Sequence, residues 1–407
     1  MRKIFTSVLV LFPLLAWGQN WNETTKTLQL VNVTRSESIT LPDGATIVLS
    51  GENKINYPLT EGAAITAEGS LRIQGEGSLD IQSGYEAIHA AGDITIEGST
   101  LTIRTEGEGD GAIATDASIS MDGCDISITT ATDDGIMADG SLSITNSNLN
   151  IQAEAEEGIV CYGVVNITGN SAVDIYSGAK EAMEAHEGLV VSGSEVTLVA
   201  ADYEPLYGDG VQIDNSTFKA LRGNAASALS LREGEISYTI RNSWVESSDP
   251  IALMEEPVNS FVRILGATNT VYGNYTLVGD VTLPEGEALM LTEGSTLTIP
   301  EGITLTNSGT LANAGTIVIQ QGGVMEGEEN GEIIRDSATG IEDIEGAKVY
   351  AQEGTVYVQT PSRMKVAIVS ISGATVARAE QEGLQSYSLP KGIYIICIGE
   401  QTFKVRN

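Results

Sequence analysis

The chain has 407 residues, a formal net charge of −34, 45 glycines and 42% hydrophobic residues, with few aromatic side chains. An acidic excess of this size argues against binding to nucleic acid or to anionic membrane surfaces. The hydrophobic content is sufficient for a core, and the chain has only three cysteines, so a disulfide framework is not expected.

Residues 1–18 have the features of a secretory signal peptide. Arg2 and Lys3 precede an apolar run over residues 4–15, and Ala16-Trp17-Gly18 supplies small residues for cleavage. We therefore expect a secreted mature chain that begins at Gln19. The apolar run is too short to cross a bilayer and no later stretch could do so, which predicts no membrane span.

Residues 19–60 are predicted to form an N-terminal cap and the first coils, and residues 61–325 form the main repeat region. In that region a short sequence motif recurs about every 23 residues, with an acidic or small residue before an apolar one. We call this motif the repeat phrase. Its last residues are Ile88, Ile113, Ile136, Ile159, Met183, Leu206, Leu229 and Ile251. A fixed period of this length indicates a solenoid.

Two short runs of alternating apolar and polar residues follow each phrase, as in Ile94-Thr95-Ile96 and Leu101-Thr102-Ile103. A period of two indicates half-buried strands, and no segment has a helical period. Two positions after the first run, every coil carries glycine or asparagine, which best tolerate a left-handed backbone: Gly75, Gly98, Gly123, Asn146, Gly169, Gly193, Asn215 and Asn242.

Small residues at another corner, Ala87, Ala112, Gly135, Gly158 and Ala182, would let one backbone stack closely on the next. Together these columns predict an all-β fold, a parallel β-helix with coils of about 23 residues. Crossover chirality favours a right-handed β-helix.

The C-terminal third has a different pattern. From about residue 275 the acidic phrase is lost, but short alternating runs separated by glycine continue to 325 and predict further, narrower coils. Residues 326–345 are polar and rich in glycine, which predicts a linker. Residues 346–407 alternate again and predict a small, separate C-terminal β-sandwich.

Within this last unit, Leu389-Pro390-Lys391-Gly392-Ile393-Tyr394-Ile395, followed by Phe403-Lys404-Val405, resembles the C-terminal sorting domain of type IX secretion cargo in Gram-negative Bacteroidetes. Val369-Ser370-Ile371-Ser372-Gly373 matches the element upstream of it. The resemblance implies passage through an outer membrane. A secreted or outer-surface location in a Gram-negative bacterium is therefore expected.

Acidic residues dominate residues 84–210, where 23 of them accompany only two basic residues, Arg104 and Lys180. Five acids lie two positions before the repeat apolar residue, and the last four would stack on successive coils: Glu86, Asp134, Glu157, Glu181 and Glu204. Carboxylates about 5 Å apart repel one another, and a cation removes this cost. Oxygen ligands suit Ca²⁺, so we predict Ca²⁺ as the cofactor. The predicted ligands are Asp110, Asp133, Asp134, Asp139, Glu156 and Glu157, with Asp133, Asp134 and Asp139 as the best single site.

The alternative for these acids is a solvated face that keeps the protein soluble. However, the stretch from Asp133-Asp134-Gly135-Ile136 to Leu142-Ser143-Ile144 resembles the repeat of a bacterial β-helix carbohydrate-binding family. In that family acid-Gly-Ile rungs bind calcium, and members bind cellulose and pectic acid chains. The resemblance covers about 84–230 and implies binding of polysaccharide with support from Ca²⁺.

Aromatic side chains stack on sugar rings, which makes Tyr85, Tyr162, Tyr203 and Tyr207 the candidates for carbohydrate binding. We therefore predict a non-catalytic monomer that binds an extended polysaccharide, acidic chains included. Two alternatives stay open at this point. A Ca²⁺-dependent polysaccharide lyase would need an arginine or lysine base beside the acids. A structural surface adhesin would have a protein as its partner.

Overall fold

The structure is a computed structural model that describes residues 21–223, 236–335, 347–352, 355–371, 373–399 and 401–407. The predicted signal peptide and the repeat residue Leu229 lie outside these ranges. All regular elements of the described residues are β-strands, and most of them form three long sheets that wind together into a parallel solenoid. The predicted all-β parallel β-helix is therefore confirmed.

Sheets A, B and C are the three faces of the solenoid. Sheet A has 12 strands: Trp21–Asn22, Thr27–Val31, Ala45–Ser50, Leu71–Gln74, Ile94–Glu97, Ile119–Asp122, Leu142–Thr145, Val165–Thr168, Leu189–Ser192, Gly210–Asp214, Ser237–Arg241 and Ala252–Leu253. Sheet B has 14 strands: Thr34–Arg35, Glu52–Tyr57, Ser78–Ser83, Thr100–Thr105, Asp125–Thr130, Asn148–Ala153, Ala172–Ser177, Glu195–Ala200, Thr217–Arg222, Trp244–Ser247, Ser260–Ile264, Thr268–Tyr272, Ala288–Leu291 and Thr310–Asn313. Sheet C has eight short strands: Ile39–Leu41, Ile65–Ala67, Ile88–Ala90, Ile113–Thr115, Ile136–Ala138, Ile159–Cys161, Met183–Ala185 and Leu206–Gly208.

The repeat phrase leads into sheet C. Its apolar residues pair in parallel register along that sheet, from Ile88 with Ile113 to Met183 with Leu206. The eighth phrase does not follow this pattern. The strand Ala252–Leu253, directly after Ile251, pairs with Ser237–Arg241 in sheet A, and Leu206–Gly208 is the last strand of sheet C among the described residues. The prediction of eight equivalent phrases is therefore wrong at its last member.

The corner between sheets A and B confirms the predicted left-handed column. All eight glycine and asparagine positions have a positive φ, between 48° at Asn146 and 113° at Gly75. Asparagine and glycine alternate freely in this column because both accept such a backbone at little cost. The local backbone preference of one residue per coil therefore fixes where each coil turns.

A valine at Gly123 is expected to lower the free energy of unfolding by about 1–2 kcal/mol. Gly123 has φ +64°, and a Cβ placed on it would have Gly98 Cα as its nearest neighbour, at 3.9 Å, so the cost comes from the backbone rather than from crowding. Gly123→Asn is the matched control and is expected to be nearly neutral. Chemical denaturation of both variants measures the difference, and equal stabilities would contradict the assignment.

Inside the solenoid, stacked isoleucine, leucine and valine side chains form one continuous core from Leu28 to Val262. Each fully buried side chain of this size contributes about 1.5–3 kcal/mol. A second core begins at Trp244 and extends to Ile319. The ring centroids of Trp244 and Phe261 lie 5.0 Å apart, so an aromatic contact lies where the two cores meet.

At the start of the second core the chain reverses direction within sheet B. Strands Ser260–Ile264 and Thr268–Tyr272 pair antiparallel, after which parallel coils resume. These later coils also use sheet D, with Asn274–Thr276, Thr296–Ile299, Thr316–Ile319 and Glu332–Arg335, and sheet E, with Val281–Leu283, Thr304–Asn307 and Val324–Gly327. The strands therefore continue ten residues past the boundary predicted at 325, into the segment 326–345 for which the sequence predicts a linker. The remainder of that segment lies outside the described residues.

The C-terminal unit is one curled antiparallel sheet, sheet F, made of Lys348–Gln352, Thr355–Ser370, Thr375–Ser388, Ile393–Ile398 and Gln401–Arg406. The 16-residue strand Thr355–Ser370 pairs with three of the other four strands, and its register shifts between Thr360 and Met364. Antiparallel strands agree with the prediction, but a single sheet bends around its own core instead of forming two separate layers. No helix among the described residues is long and apolar enough to cross a membrane.

Candidate functional site

The outer face of sheet C is the candidate binding surface, which we call the trough. In each short strand the first and third residues point into the core, so the middle residue faces outward, as His89, Met137 and Tyr207 do. Ala114, Val160 and Glu184 occupy the same outward column but are 1%, 7% and 8% exposed. This outward column is therefore partly covered by other side chains.

The predicted acidic column borders the trough at the N-terminal ends of the sheet C strands. Glu86, Glu157 and Glu181 are buried, at 4%, 8% and 2% exposure. The backbone N–H of Glu157 donates to Asp134 Oδ1 at 3.1 Å, which joins successive coils through their acids. The stacking of these carboxylates, expected from the repeat, is therefore present in the structure.

Three carboxylates, those of Asp134, Glu156 and Glu157, have oxygens within 4.8 Å of one another. Lys180 Nζ lies 3.2 Å from Glu156 Oε2 and 3.4 Å from Glu157 Oε1, so one cation already contacts this group. Burial, reinforced by the charge of Glu157, raises the pKa of Asp134 from 3.8 to about 9. A carboxyl in this environment retains its proton at neutral pH unless a cation replaces it.

A second group, Glu157, Glu181 and Glu184, is equally close, with oxygens within 4.8 Å of one another. Glu157 belongs to both groups and links them. Glu184 is the outward-facing residue of its sheet C strand, so this group reaches onto the floor of the trough.

A third group surrounds Asp133, which precedes Asp134 in the same coil, and includes Glu86 and Asp110 from the two coils before it. Asp133 is 3% exposed, and its Oδ2 has no hydrogen-bond partner among the described residues. Burial, with the charges of Glu86 and Asp110, raises the pKa of Asp133 from 3.8 to about 7. The backbone N–H of Asp110 donates to Glu86 Oε1 at 3.2 Å. A Cβ placed on Gly109 would lie 2.7 Å from Glu86 Cγ and 3.0 Å from Asp133 Oδ2, so both acidic side chains pack closely against this glycine.

Asp139 does not join these groups. It is exposed and follows the strand Ile136–Ala138, whereas Asp134 precedes it. Five residues of extended chain separate the two by about 16 Å. The predicted single site of Asp133, Asp134 and Asp139 is therefore not assembled; the structure groups Asp133 with Glu86 and Asp110, and Asp134 with Glu156 and Glu157.

Aromatic rings lie at the other border of the trough and next to it: Tyr162 and His186 directly follow their sheet C strands, and Tyr207 is the outward-facing residue of its strand. Tyr162 and His186 are stacked, with ring centroids 4.7 Å apart and an interplanar angle of 23°. His186 meets Tyr207 edge-on at 5.5 Å, and its Nε2 lies 3.1 Å from Glu184 Oε2. Tyr162 is 47% exposed. We call Tyr162, His186 and Tyr207 the aromatic ledge.

The other two predicted tyrosines lie elsewhere. Tyr85 and Tyr203 precede their sheet C strands, so they border the trough on the acidic side. Five strand spacings separate them, about 24 Å. The four candidates therefore do not form one surface, and only Tyr162 and Tyr207 come together.

The sequence did not lead us to predict Glu184 or His186 as site residues. His186 is a lone histidine, and such a residue is interpreted from sequence as an ordinary surface histidine. The signal for Glu184 was present in the alternation of the strand Met183–Ala185, which places its middle residue outward in line with Tyr207. For His186 the signal was its position three residues after Met183, which matches that of Tyr162 after Ile159.

Comparison with known proteins agrees with this geometry. The model of the carbohydrate-binding domain-containing protein family matches residues 19–255, more than half of the chain. The chain belongs to this family. The match to the carbohydrate-binding domain-containing family covers sheet C and every acidic and aromatic group described above, and it ends close to the junction of the two cores.

Two solved structures are among the similar ones. A hyper-glycosylated TibA fragment, glycosylated by TibC, is 13% identical, with 78% of this chain and 94% of that chain covered and a TM-score of 0.22. A mutant tailspike protein of the E. coli bacteriophage HK620, solved in complex with a pentasaccharide, is 9% identical, with 92% and 85% covered and a TM-score of 0.28. The search of curated proteins gives no significant match.

Proposed function

We propose that the protein binds an extended polysaccharide along the outer face of sheet C, with Ca²⁺ held by the acidic column and without catalysis. The observation that carries this proposal is the aromatic ledge beside clustered carboxylates on the same face of the solenoid. Aromatic rings supply apolar faces for sugar rings, and carboxylates accept hydrogen bonds from sugar hydroxyls. Membership of a carbohydrate-binding family supports the same ligand class.

The donor set fits Ca²⁺. Its ligands are oxygens at about 2.3–2.6 Å, so ligand oxygens up to about 5 Å apart share one ion. Asp134, Glu156 and Glu157 meet this condition, and Asp133 Oδ2 offers a buried oxygen without a hydrogen bond among the described residues. We propose these residues, with Asp110 and Glu86 in the two preceding coils, as the calcium-binding region. Asp139 is left out because it lies at the opposite end of its strand.

A bound cation also explains how so acidic a surface would accept an acidic chain. Carboxylates of the protein and of a uronic acid polymer repel one another, and Ca²⁺ between them turns this repulsion into attraction. Polygalacturonate is therefore the first ligand to test.

Catalysis by a lyase would need an unprotonated base near the acids. Burial alone would lower the pKa of Lys180, but hydrogen bonds and charges from Glu156 and Glu157 outweigh this and raise it. Arg222, 10% exposed, is held by Asp249 at 2.8 Å and by Glu204 at 3.6 Å. Neither side chain is suited to take a proton, which supports a non-catalytic role. Formation of unsaturated, ultraviolet-absorbing products from polygalacturonate would contradict it.

We also propose that the protein is secreted and displayed on, or released from, the outer surface of a Gram-negative bacterium, as a monomer. The basic, apolar and small residues of positions 1–18 support export. The similarity of residues 389–405 to a type IX sorting domain supports passage through an outer membrane.

Tyr162→Ala is expected to weaken the binding of polygalacturonate about tenfold, because it removes the most exposed ring of the aromatic ledge. Isothermal titration calorimetry in Ca²⁺ measures the change. Tyr176→Ala is the matched control, because Tyr176 is a partly exposed residue of sheet B, away from the trough. Unchanged binding by the Tyr162 variant would exclude the ledge as the site.

A further inference from the structure

A second groove runs along the corner between sheets A and B, away from the acidic trough. It has a volume of about 570 Å³ and is lined mainly by amide and hydroxyl side chains, among them Asn170, Asn215, Thr217, Asn242 and Asn259. It crosses successive coils from Ala172 to Tyr275, about five strand spacings or 24 Å. The size is that of a ligand site, which has about 300–1,000 Å³.

The floor of the groove is rigid because a ladder of buried serines lies beneath it. The backbone N–H of Ser171 donates to Ser194 Oγ at 3.2 Å, that of Ser194 to Ser216 Oγ at 3.1 Å, and the pattern continues through Ser243 and Ser260. The serine hydroxyls also donate to backbone carbonyls, as Ser216 does to Asp214 O at 2.7 Å. The ladder is satisfied internally, so it supports the groove and leaves binding to the side chains above it.

The asparagines above the ladder are held at fixed spacing. Asn215, Asn242 and Asn259 have φ values of 50°, 48° and 47°, so each amide projects from the same kind of corner. Asn242 Nδ2 donates to Asp214 Oδ1 at 3.2 Å and Asn259 Nδ2 donates to Asn242 Oδ1 at 3.4 Å. The amides of Asn170 and Asn215 make no hydrogen bond with any residue that the structure describes, and both are exposed.

The chemistry of the lining selects the ligand. Among the described residues, no lysine or arginine lines the groove and Glu195 is its one acidic side chain, so nothing there attracts a strongly charged polymer. Amides and hydroxyls both donate and accept hydrogen bonds, which suits a ligand rich in hydroxyl groups. At one end Val278, which is 68% exposed, adds an apolar surface. Coils repeat at about 4.8 Å, close to the length of one sugar residue in an extended chain.

We propose that this corner groove is a second glycan-binding site, specific for uncharged oligosaccharides and independent of Ca²⁺. It goes beyond the proposed function, which concerns the sheet C trough and acidic chains, and it does not depend on that trough. Together the two faces would let one molecule contact a neutral and an acidic polysaccharide at the same time. Two linked sites of this kind raise the overall avidity for a surface that carries both kinds of polysaccharide.

The test uses the full chain in EDTA with uncharged hexasaccharides of β-1,4-glucan, β-1,4-mannan, β-1,3-glucan and α-1,4-glucan as probes. At least one is expected to bind, and Asn215→Gly with Thr217→Val is expected to weaken it about tenfold. Glycine accepts the backbone of Asn215, and valine has the shape of threonine, so the variant should fold. Asn32→Gly is the matched control, because Asn32 has φ 52° and lies in the first coils, outside the groove.

Calorimetry with the same preparations distinguishes this site from the trough. The Asn215 and Thr217 variant should bind polygalacturonate in Ca²⁺ as the wild type does, whereas Tyr162→Ala should retain the binding of the uncharged hexasaccharide. Failure of all four hexasaccharides to bind would overturn the proposal, as would equal binding by the variant and wild type. Loss of neutral binding in Tyr162→Ala alone would assign it to the trough and also overturn the corner groove.

Discussion

In metal-free buffer the melting temperature is expected to fall by several degrees as the pH rises from about 6 to about 9. The cause is the buried carboxyl groups. The pKa of Asp133 is raised from 3.8 to about 7, and that of Asp134 from 3.8 to about 9, chiefly because burial disfavours the charged form. In most proteins the carboxylates lie at the surface and are already ionised at about pH 6, so they change the melting temperature little between about pH 6 and pH 9. A clear fall would therefore indicate carboxyl groups with raised pKa values.

The sign follows from proton linkage. Above pH 3.8 the unfolded chain has released these protons, whereas the folded chain keeps them up to its raised pKa values. Their contribution to stability is present in full below the unfolded pKa and is lost as the pH rises through about 7 and then about 9. Over the interval from about pH 6 to pH 9 the loss is on the order of a few kcal/mol.

Added Ca²⁺ is expected to offset this loss and to flatten the pH dependence. The ion replaces the protons on the acidic column and contributes about 2.7 kcal/mol at a hundredfold excess over Kd. Mg²⁺ is expected to do less, because it demands a strict octahedral arrangement that clustered carboxylates rarely supply. Melting curves in EDTA, Ca²⁺ and Mg²⁺ at several pH values measure the effect.

Asp134→Asn is expected to raise the melting temperature in EDTA at high pH and to reduce the response to Ca²⁺. The amide oxygen can still accept the hydrogen bond that Glu157 N–H donates to Asp134, so the backbone should be preserved. Asp139→Asn is the control, because this exposed acid lies at the other end of the strand. Identical melting of the wild type in Ca²⁺ and EDTA would refute calcium binding and leave a solvated acidic face.

Gly158→Ala is expected to lower the free energy of unfolding by about 3 kcal/mol or more. A Cβ at this position would overlap both Ile175 Cγ2 and the carbonyl oxygen of Ala182, and a backbone oxygen cannot move aside without breaking the coil pairing. Ala87, Ala112 and Ala182 occupy the same column and are fully buried, so the column as such admits a methyl group. The cost is therefore specific to the packing of this coil.

Gly279→Ala serves as the control for Gly158→Ala. A Cβ at Gly279 meets no atom within 4 Å, so its stability is expected to change by less than about 0.5 kcal/mol. Urea denaturation of both variants gives the comparison. A loss of less than about 1 kcal/mol at Gly158 would mean that neighbouring coils separate more easily than the observed packing implies.

The sequence by itself determined the solenoid. One phrase per coil, one left-handed corner per coil and two alternating runs are local properties, and each coil packs only on its neighbours, so period alone sets the register. The stacking of Asp134 on Glu157 followed directly, since residues at equal positions in successive coils must lie side by side. The family membership agrees with the resemblance of the stretch from Asp133 to Ile144 to a carbohydrate-binding family.

Other features depend on tertiary contacts and cannot be predicted from the repeat. Asp134 and Asp139 are close in sequence, but they lie at opposite ends of the strand Ile136–Ala138, and the strand holds them apart. The reversal at Phe261 and Val271, the coils that continue to Arg335 and the single curled C-terminal sheet depend on contacts within their own cores rather than on a repeat.

The same distinction applies to the candidate sites. The ring contact of Tyr162 with His186 and the place of Glu184 on the trough floor arise from side-chain packing across three coils, where lengths and rotamers decide the result. The corner groove exists because the segment after the reversal lies beside the asparagine corners, where Asn274 N–H donates to Asn259 Oδ1 at 3.0 Å. Asn215 and Asn242 were predicted at their corners, but a groove needs two walls, and only the folded chain brings them together.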